Sequence, residues 1–194
     1  MIVGGIDIGS LSANSVIMQF VKGSSEGEIL SYSIIPTGVD DYLTAKTAFD
    51  EALKKISIKF DDLEFIVSTG YGRINIPFAK KNVTEISCHA RGAHWAFPTA
   101  RTILDMGGQD CKVITCDEKG KVKSFIMNDK CAAGAGRSME IMANILDVKL
   151  EDIGDMSLDI KDKPSQITST CVLFARSEVV ELLGLPPGSC ARSN

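Results

Sequence analysis

The sequence predicts an α/β fold made of two related lobes, and two observations support this prediction. First, an apolar stretch that ends in Asp-x-Gly occurs at Ile6 to Gly9 and again 98 positions later at Leu104 to Gly107. Second, each copy is followed by two more strand-like stretches joined by polar turns, and then by a helical pattern. We therefore expect two lobes that both begin with three strands and a helix.

The elements of the first lobe follow from hydrophobic periodicity. Strands are predicted at Val16–Met18 and Ile29–Ile34, after the strand that ends at Asp7. Apolar residues then recur every three or four positions behind the acidic Asp40, as an amphipathic helix requires. A buried strand from Leu63 to Ser68 and a helix from Glu85 to Phe97 complete the lobe, and we expect Trp95 and Phe97 to lie in its core.

The second lobe begins in the same way but differs after its first helix. Strands are predicted around Val113-Ile114 and at Val122–Met127, and a helix carries Met139, Met142 and Ile145 or Leu146. A polar, acidic stretch at 147–170 has no counterpart in the first lobe, and a second helical run extends from Cys171 to Leu183. We therefore predict lobes at 1–100 and 101–183 and a tail at 184–194, with the second lobe incomplete.

Composition excludes several classes of function. The 194 residues are 44% apolar and 24% charged, so a disordered or coiled-coil chain is not expected. The net charge is −4 without a basic stripe, and no apolar run approaches about 20 residues, so neither nucleic acid nor membrane is an expected partner. Because the N-terminus carries an acid and no basic segment, we expect a cytoplasmic protein whose six cysteines are thiols or metal ligands.

The two Asp-x-Gly turns are typical of a nucleotide clamp. Glycines let the backbone approach a phosphate, backbone N–H groups can bind the anion, and the aspartate at each strand end can hold Mg²⁺ through water. One such turn alone more often just ends a strand. Two copies in register favour phosphate binding.

Two cysteines, Cys131 and Cys171, lie at predicted helix starts. Helix N-termini lower the pKa of a thiol and can donate hydrogen bonds to the sulfurs of an anionic iron–sulfur cluster. Two thiolates are half of a four-cysteine set, which a twofold homodimer would complete. From spacing alone, two ordinary buried cysteines are the favoured interpretation.

At this point the residues resemble a known family. The similarity begins at Gly5-Ile6-Asp7-Ile8-Gly9-Ser10 and covers almost the whole chain up to about Leu183. It includes these further segments: Ser68 to Arg73, Glu85 to Gly92, Asp105 to Asp110, Met127 to Gly134, and Ser169 to Glu178. The sequence is similar to the ATP-dependent activators of 2-hydroxyacyl-CoA dehydratases and the ATPase subunits of benzoyl-CoA reductase. Relative to that family, we expect this chain to be truncated at its C-terminus. These proteins have the actin/Hsp70/sugar-kinase-like (ribonuclease H-like) fold.

The resemblance implies roles for individual residues. Asp7 and Asp105 would hold Mg²⁺ or its waters, and Gln109 would orient the attacking water. The residues implied to bind the nucleotide are Gly9, Ser10, Leu11, Ser12, Ala13, Asn14, Gly107, Gly108, Gln109, Gly134 and Gly136. Cys131 and Cys171 would be the two ligands that each subunit gives to one [4Fe–4S] cluster shared across a homodimer.

The resemblance also implies an activity and partners. ATP hydrolysis would drive low-potential electron transfer from reduced ferredoxin or flavodoxin to a dehydratase or acyl-CoA reductase component. Three residues depart from the family pattern: Asn14 replaces a usual lysine, Ala135 a frequent threonine, and Arg176 an expected acid. Two alternatives remain open, namely a cluster-free kinase of the same superfold and a truncated, non-catalytic paralogue or subunit.

Overall fold

A computed structural model gives the architecture, and it describes residues 1–21, 23, 27–128, 136–161 and 163–184. In these ranges the chain forms eight strands and five α-helices. The strands are β1 (Ile2–Ile8), β2 (Ser12–Phe20), β3 (Gly27–Pro36), β4 (Phe65–Gly70), β5 (Lys81–Asn82), β6 (Thr102–Met106), β7 (Cys111–Cys116) and β8 (Val122–Asn128). The helices are α1 (Asp41–Lys54), α2 (Glu85–Ala96), α3 (Gly136–Leu146), α4 (Ile153–Leu158) and α5 (Val172–Leu182). Among the described helices, none has the length and hydropathy to span a membrane.

The first sheet has the strand order β3-β2-β1-β4-β5, in which β1 is antiparallel to β2 and parallel to β4. The predicted strands and helices of this region are confirmed, and β5 is an addition. Helix α1 begins where Asp40 accepts a hydrogen bond from the Leu43 N–H at 3.0 Å, as an N-cap should. The parallel pairing brings the carboxyl ends of β1 and β4 together, which places Asp7 beside Thr69.

Helix α1 covers one face of this sheet and closes the main core. Phe49 is fully buried there among Ile6, Ile8 and Ile17, and its ring packs edge-on against Phe60. The interface also contains three buried serines. Ser15 and Ser33 donate to the Ala48 carbonyl at 2.8 and 2.7 Å, and Ser31 donates to the Ala52 carbonyl at 2.7 Å. These bonds tie the helix to β2 and β3 without leaving the hydroxyls unsatisfied.

The second sheet has the order β6-β7-β8, so the predicted second group of three strands is confirmed. Its β7–β8 turn contains Gly120 at φ +72, and the Asp117 side chain accepts from the backbone N–H groups of Lys119 and Lys121, both at 2.9 Å. Helices α3 and α5 follow as expected and pack against each other. Helix α4 lies inside the acidic stretch, where no helix was predicted.

The described chain forms two compact units. The first contains Met1–Ile103 and Ile114–Phe125, because α2 packs through Ala90 onto Ile114 and Cys116. The second contains Leu104–Val113 and continues from Ile126. These units divide the chain differently from the predicted lobes at 1–100 and 101–183, whose boundaries stay a prediction.

One expectation about the first unit is wrong. Trp95 and Phe97 are 49% and 70% exposed, although both were expected in the core. They lie at the C-terminal end of α2, where the helix stops before Pro98. Ala90 of this helix is buried in the cluster with Ile114 and Cys116, and Ile86 packs against that cluster.

Candidate functional site: two glycine turns at strand ends

The first glycine turn connects β1 to β2. The Gly9 N–H donates to the Ser12 carbonyl at 3.0 Å, and a side chain at Gly9 would meet that same oxygen at 2.9 Å. Thr37, just after β3, fixes the turn from the side: its N–H donates to the Leu11 carbonyl at 2.9 Å and its hydroxyl to the Gly9 carbonyl at 2.8 Å. Gly9, Ser10 and Leu11 therefore form a hydrogen-bonded turn, and the other predicted phosphate residues, 12–14, begin β2.

Asp7 lies at the end of β1, directly opposite Asn14 on β2. Its surroundings are set by β4 and α2. Gly70 has φ +83, and a Cβ atom built there would collide with Asp7 Oδ1 and the Ile8 carbonyl. On another side, His89 Nε2 lies 3.8 Å from Asp7 Oδ2. Sequence reasoning included Gly70 in the family motif without giving it a role, yet its lack of a side chain makes room for the Asp7 carboxylate.

Cys88 lies next to this group on α2. Burial raises the pKa of its thiol, and the negative charges of Asp7 and Glu85 raise it further. A neutral thiol is therefore held near the Asp7 carboxylate.

The second glycine turn connects β6 to β7 and repeats the first. The Gly107 N–H donates to the Asp110 carbonyl at 2.9 Å, which is the hydrogen bond that Gly9 makes in the first copy. A side chain at Gly107 would meet Asp110 Oδ1 at 2.9 Å. Gly108 and the exposed Gln109 complete the turn, and Asp105 lies at the end of β6.

A buried lysine, which sequence reasoning missed, holds the carboxylates of this second turn. Lys112 is 4% exposed, and its ammonium lies 2.6 Å from Asp110 Oδ1 and 3.8 Å from Asp105 Oδ2. Asp110 and Asp105 also contribute to a raised pKa of the neighbouring Cys111 thiol, although its burial is the larger cause. The signal that could have found Lys112 is the internal repeat, because Lys112 occupies the position that Asn14 occupies in the first copy.

The start of helix α3 is hydrogen-bonded to the second turn. The Gly136 N–H donates to the Gly107 carbonyl at 2.8 Å, and the Arg137 N–H donates to the Gly108 carbonyl at 3.0 Å. The predicted nucleotide-binding residue Gly136 is therefore joined to Gly107 and Gly108. Gly134, Cys131 and Ala135 lie outside the described residues.

Cys171 is the N-cap of α5. Its backbone is extended at φ −133 and ψ 126, its side chain is half-buried, and its carbonyl accepts from the Ala175 N–H at 3.0 Å. A cysteine sulfur at a helix start suits a cluster ligand, because the first N–H groups of a helix favour negative charge. Arg176 is half-buried on the same helix. Across the described ranges, no three or more His, Cys, Asp or Glu residues are grouped so that they could hold a metal ion.

The donor sets fit the implied groups in chemical type. Asp7 and Asp105 offer the carboxylate oxygens that Mg²⁺ prefers, each beside a glycine turn. The structure brings Asp7 together with residues 9–14 in the first compact unit, and Asp105 together with Gly107, Gly108 and Gly136 in the second.

Comparison with known proteins identifies the family. A profile of the BadF/BadG/BcrA/BcrD ATPase family matches residues 4–185. The chain belongs to this family. Within it, the chain is 42% identical over 179 residues to the activator of lactoyl-CoA dehydratase of Anaerotignum propionicum, covering 92% of this chain and 66% of the relative. It is 41% identical over 180 residues to the (R)-2-hydroxyglutaryl-CoA dehydratase activating ATPase of Acidaminococcus fermentans, again covering 92% and 66%.

Two solved structures share the fold of this chain. The activator of the 2-hydroxyisocaproyl-CoA dehydratase from Clostridium difficile, solved with bound ADPNP, superposes with a TM-score of 0.83 at 38% identity, covering 95% of this chain and 66% of that structure. The ethanolamine utilization protein EutJ from Carboxydothermus hydrogenoformans, at 14% identity over 94% of this chain and 68% of its own, shares the fold with a TM-score of 0.50. The predicted actin/Hsp70-like α/β fold is thus confirmed. The chain spans about two thirds, 66%, of the length of the curated relative quoted first.

Proposed function

We propose that this chain is an ATP-dependent activator that couples nucleotide hydrolysis to low-potential electron transfer into a 2-hydroxyacyl-CoA dehydratase or acyl-CoA reductase component. The observation that carries the proposal is the repeated glycine turn with an aspartate at its strand end, in a chain of this ATPase family. Relatives named as dehydratase activators, and a relative named as one of the subunits of benzoyl-CoA reductase, support the choice of partner.

Residues of both turns bind the nucleotide in this proposal. Ser10 in the first turn and Gly108 in the second would offer backbone N–H groups to the phosphates. Gly9 and Gly107, whose N–H groups are engaged within the turns, would let the backbone come close to the anion. Asp7 and Asp105 would hold Mg²⁺ through water, and Gln109 would orient the attacking water. The bound ADPNP in the relative from Clostridium difficile supports nucleotide binding by this fold.

Cys131 and Cys171 would each give one thiolate to a [4Fe–4S] cluster, and a second subunit would give the other pair. When bound, the cluster would supply one-electron transfer between a donor, reduced ferredoxin or flavodoxin, and the partner component. The N-cap position of Cys171 supports this role, since the residue lies at the N-terminal end of α5, where the helix dipole is positive. Arg176, near this helix start, would favour the more negative reduced state and so raise the potential.

Hydrolysis can drive electron transfer only if the protein has two states with different docking geometry or a different environment for the electron carrier. The contacts of α3 support such a coupling. This helix begins five residues after Cys131, and its first two N–H groups donate to carbonyls of the second glycine turn. A shift of that turn on phosphate binding would therefore move the start of α3.

Anaerobic native mass spectrometry of the iron-reconstituted chain, with and without MgATP, tests the proposal. A dimer with four iron atoms that gains nucleotide supports it, and Cys171→Ser should lose the iron while the control Cys88→Ser keeps it. A dimer with iron but without nucleotide supports the alternative of a non-catalytic subunit. A monomer without iron contradicts the redox function, and iron-free nucleotide turnover would support the cluster-free kinase.

A further inference from the structure

The two glycine turns correspond residue by residue at an offset of 98 positions. Gly9 corresponds to Gly107, and both donate their N–H to the carbonyl three residues later, at 3.0 and 2.9 Å. The side chain five residues after each glycine contacts the side chain three residues after it. In the first copy Asn14 Nδ2 donates to Ser12 Oγ at 3.4 Å, and in the second Lys112 Nζ donates to Asp110 Oδ1 at 2.6 Å.

The contacts repeat, but their charges differ. The first copy joins an amide to a hydroxyl. The second joins a buried ammonium to one carboxylate and places it 3.8 Å from another, that of Asp105. Carboxylates stabilise an ammonium that is 4% exposed, and the ammonium in turn reduces the repulsion between the two carboxylates near it. Lys112 therefore sets the charge of the second turn.

Lys112 also fixes the shape of that turn. The carboxylate it binds rests against the Gly107 backbone, so closely that a Cβ atom at Gly107 would lie 2.9 Å from Asp110 Oδ1. The carbonyls of Gly107 and Gly108 in turn accept the first two N–H groups of α3, from Gly136 and Arg137. A continuous set of contacts thus runs from the Lys112 ammonium, through Asp110 and the glycine turn, to the start of α3.

We infer that Lys112 is a positioning residue: its ammonium holds the second glycine turn in the conformation that receives phosphate and that supports the start of α3. This inference rests on the proposed nucleotide site. Lys112 does not touch the reacting atoms. It orients Asp110 and Asp105, and it cancels one of two negative charges that would otherwise repel the phosphates.

The test compares four forms of the full chain with wild type: Lys112→Met, Lys112→Arg, Asp110→Asn, and the double variant Lys112→Met/Asp110→Asn. Calorimetry with ADP, with and without Mg²⁺, reports phosphate binding. Hydrogen exchange at Gly136 and Arg137 reports the start of α3 and needs no nucleotide. Exchange in α1, which lies in the other compact unit, is the internal control for general destabilisation.

We expect Lys112→Met to weaken Mg²⁺-free ADP binding about ten- to a hundredfold, which corresponds to the loss of one hydrogen bond to a charged group. Exchange should rise at Gly136 and Arg137 but not in α1. Lys112→Arg should retain most of the affinity. The double variant has the same net charge around Asp105 as the wild type, so its ADP affinity should be higher than that of Lys112→Met. Amide exchange at the start of α3 should still be faster than in the wild type, because the ion pair between residues 112 and 110 is lost.

Two results would overturn the inference. The first is Lys112→Met with wild-type ADP affinity and wild-type exchange at α3. The second is an equal increase in amide exchange rate in α1 and α3, for both Lys112→Met and the double variant. Lys112 would then contribute to the stability of the whole protein and not specifically to the turn. If wild-type chain binds no ADP, the proposed function fails, while the exchange measurement still decides whether Lys112 positions the turn.

Discussion

The two strand-end turns have the same backbone hydrogen bond but differ in the residues that surround their aspartates. Asp7 is bounded by Gly70, which makes room for its carboxylate, and by the imidazole of His89. Asp105 is bounded by the buried ammonium of Lys112. The hydrogen bond from Gly9 or Gly107 is the same in both. The comparison teaches that two turns with the same glycine hydrogen bond can differ in charge, because the side chains around them differ.

The largest effect should come from removing the space around Asp7. In Gly70→Ala the new methyl group collides with the Asp7 carboxylate, and the φ of +83 is unfavourable for alanine. We expect a loss of about 2 kcal/mol or more in the free energy of unfolding. Nucleotide affinity should also fall, because Asp7 must move. Denaturant unfolding and ADP calorimetry measure the two effects.

A matched control lies in α2. Gly92 is inside a helix, and a Cβ atom there meets nothing within 4 Å. Gly92→Ala should therefore stabilise the protein by about 0.5–1 kcal/mol and leave ADP binding unchanged. Equal destabilisation by Gly70→Ala and Gly92→Ala would show that the space beside Asp7 has no special importance.

The second prediction compares the two turn glycines directly. At Gly9 the nearest obstacle to a side chain is the backbone oxygen of Ser12 at 2.9 Å, and at Gly107 it is the side-chain oxygen of Asp110 at 2.9 Å. Backbone cannot yield without breaking the turn, so Gly9→Ala should cost about 1–3 kcal/mol in unfolding free energy and Gly107→Ala less.

A double-mutant cycle sharpens this comparison. Asp110→Ala removes the nearer obstacle, so Gly107→Ala should cost less in that background than in the wild type. Chemical denaturation of the four proteins of the cycle gives the coupling energy. Coupling near zero would mean that the Asp110 carboxylate does not occupy the space beside Gly107.

The third prediction gives the first turn the charge of the second. Asn14 lies opposite Asp7 and corresponds to Lys112 in the repeat. Asn14→Lys should tighten Mg²⁺-free ADP binding by about two- to fivefold, since a half-exposed cation adds a modest attraction for phosphate. Asn14→Gln is the neutral control. Unchanged affinity in Asn14→Lys, measured by calorimetry at low salt, would contradict the idea that this repeat position sets the charge of a turn.

Much of this architecture could be predicted from the sequence, for a physical reason. Strands β1 to β4 and helices α1 and α2 have regular periodicity, and the Asp40 cap is a local signal. The repeat of Asp-x-Gly located both turns. Gly70 and Lys112 were missed because their roles depend on neighbours brought together by folding. Trp95 was placed wrongly because helical periodicity does not say which face of α2 is covered.

The smallest predicted effect concerns the two cysteines beside the strand-end aspartates. Burial raises the pKa of the Cys88 thiol and also that of Cys111, with further contributions from Asp7 and from Asp110 respectively. An acid whose pKa is raised on folding leaves stability unaffected while both states are protonated. Above the unfolded-state pKa, near the ordinary thiol value of 9.0, the unfolded thiol ionises first and stability falls as pH rises toward the folded-state pKa.

Cys88→Ala should therefore reduce the loss of unfolding free energy between neutral and strongly alkaline pH, and Cys111→Ser should reduce it less, because Cys88 is the more deeply buried thiol. Urea unfolding at a series of pH values from neutral to well above 9.0 measures the slopes. Cys116→Ser is no suitable control, since Cys116 is buried in the α2 cluster, so the comparison is with wild type. An unchanged slope in Cys88→Ala would mean that this thiol ionises as easily in the folded protein as in the unfolded chain, and its burial beside Asp7 would then do nothing to keep the proton on the sulfur.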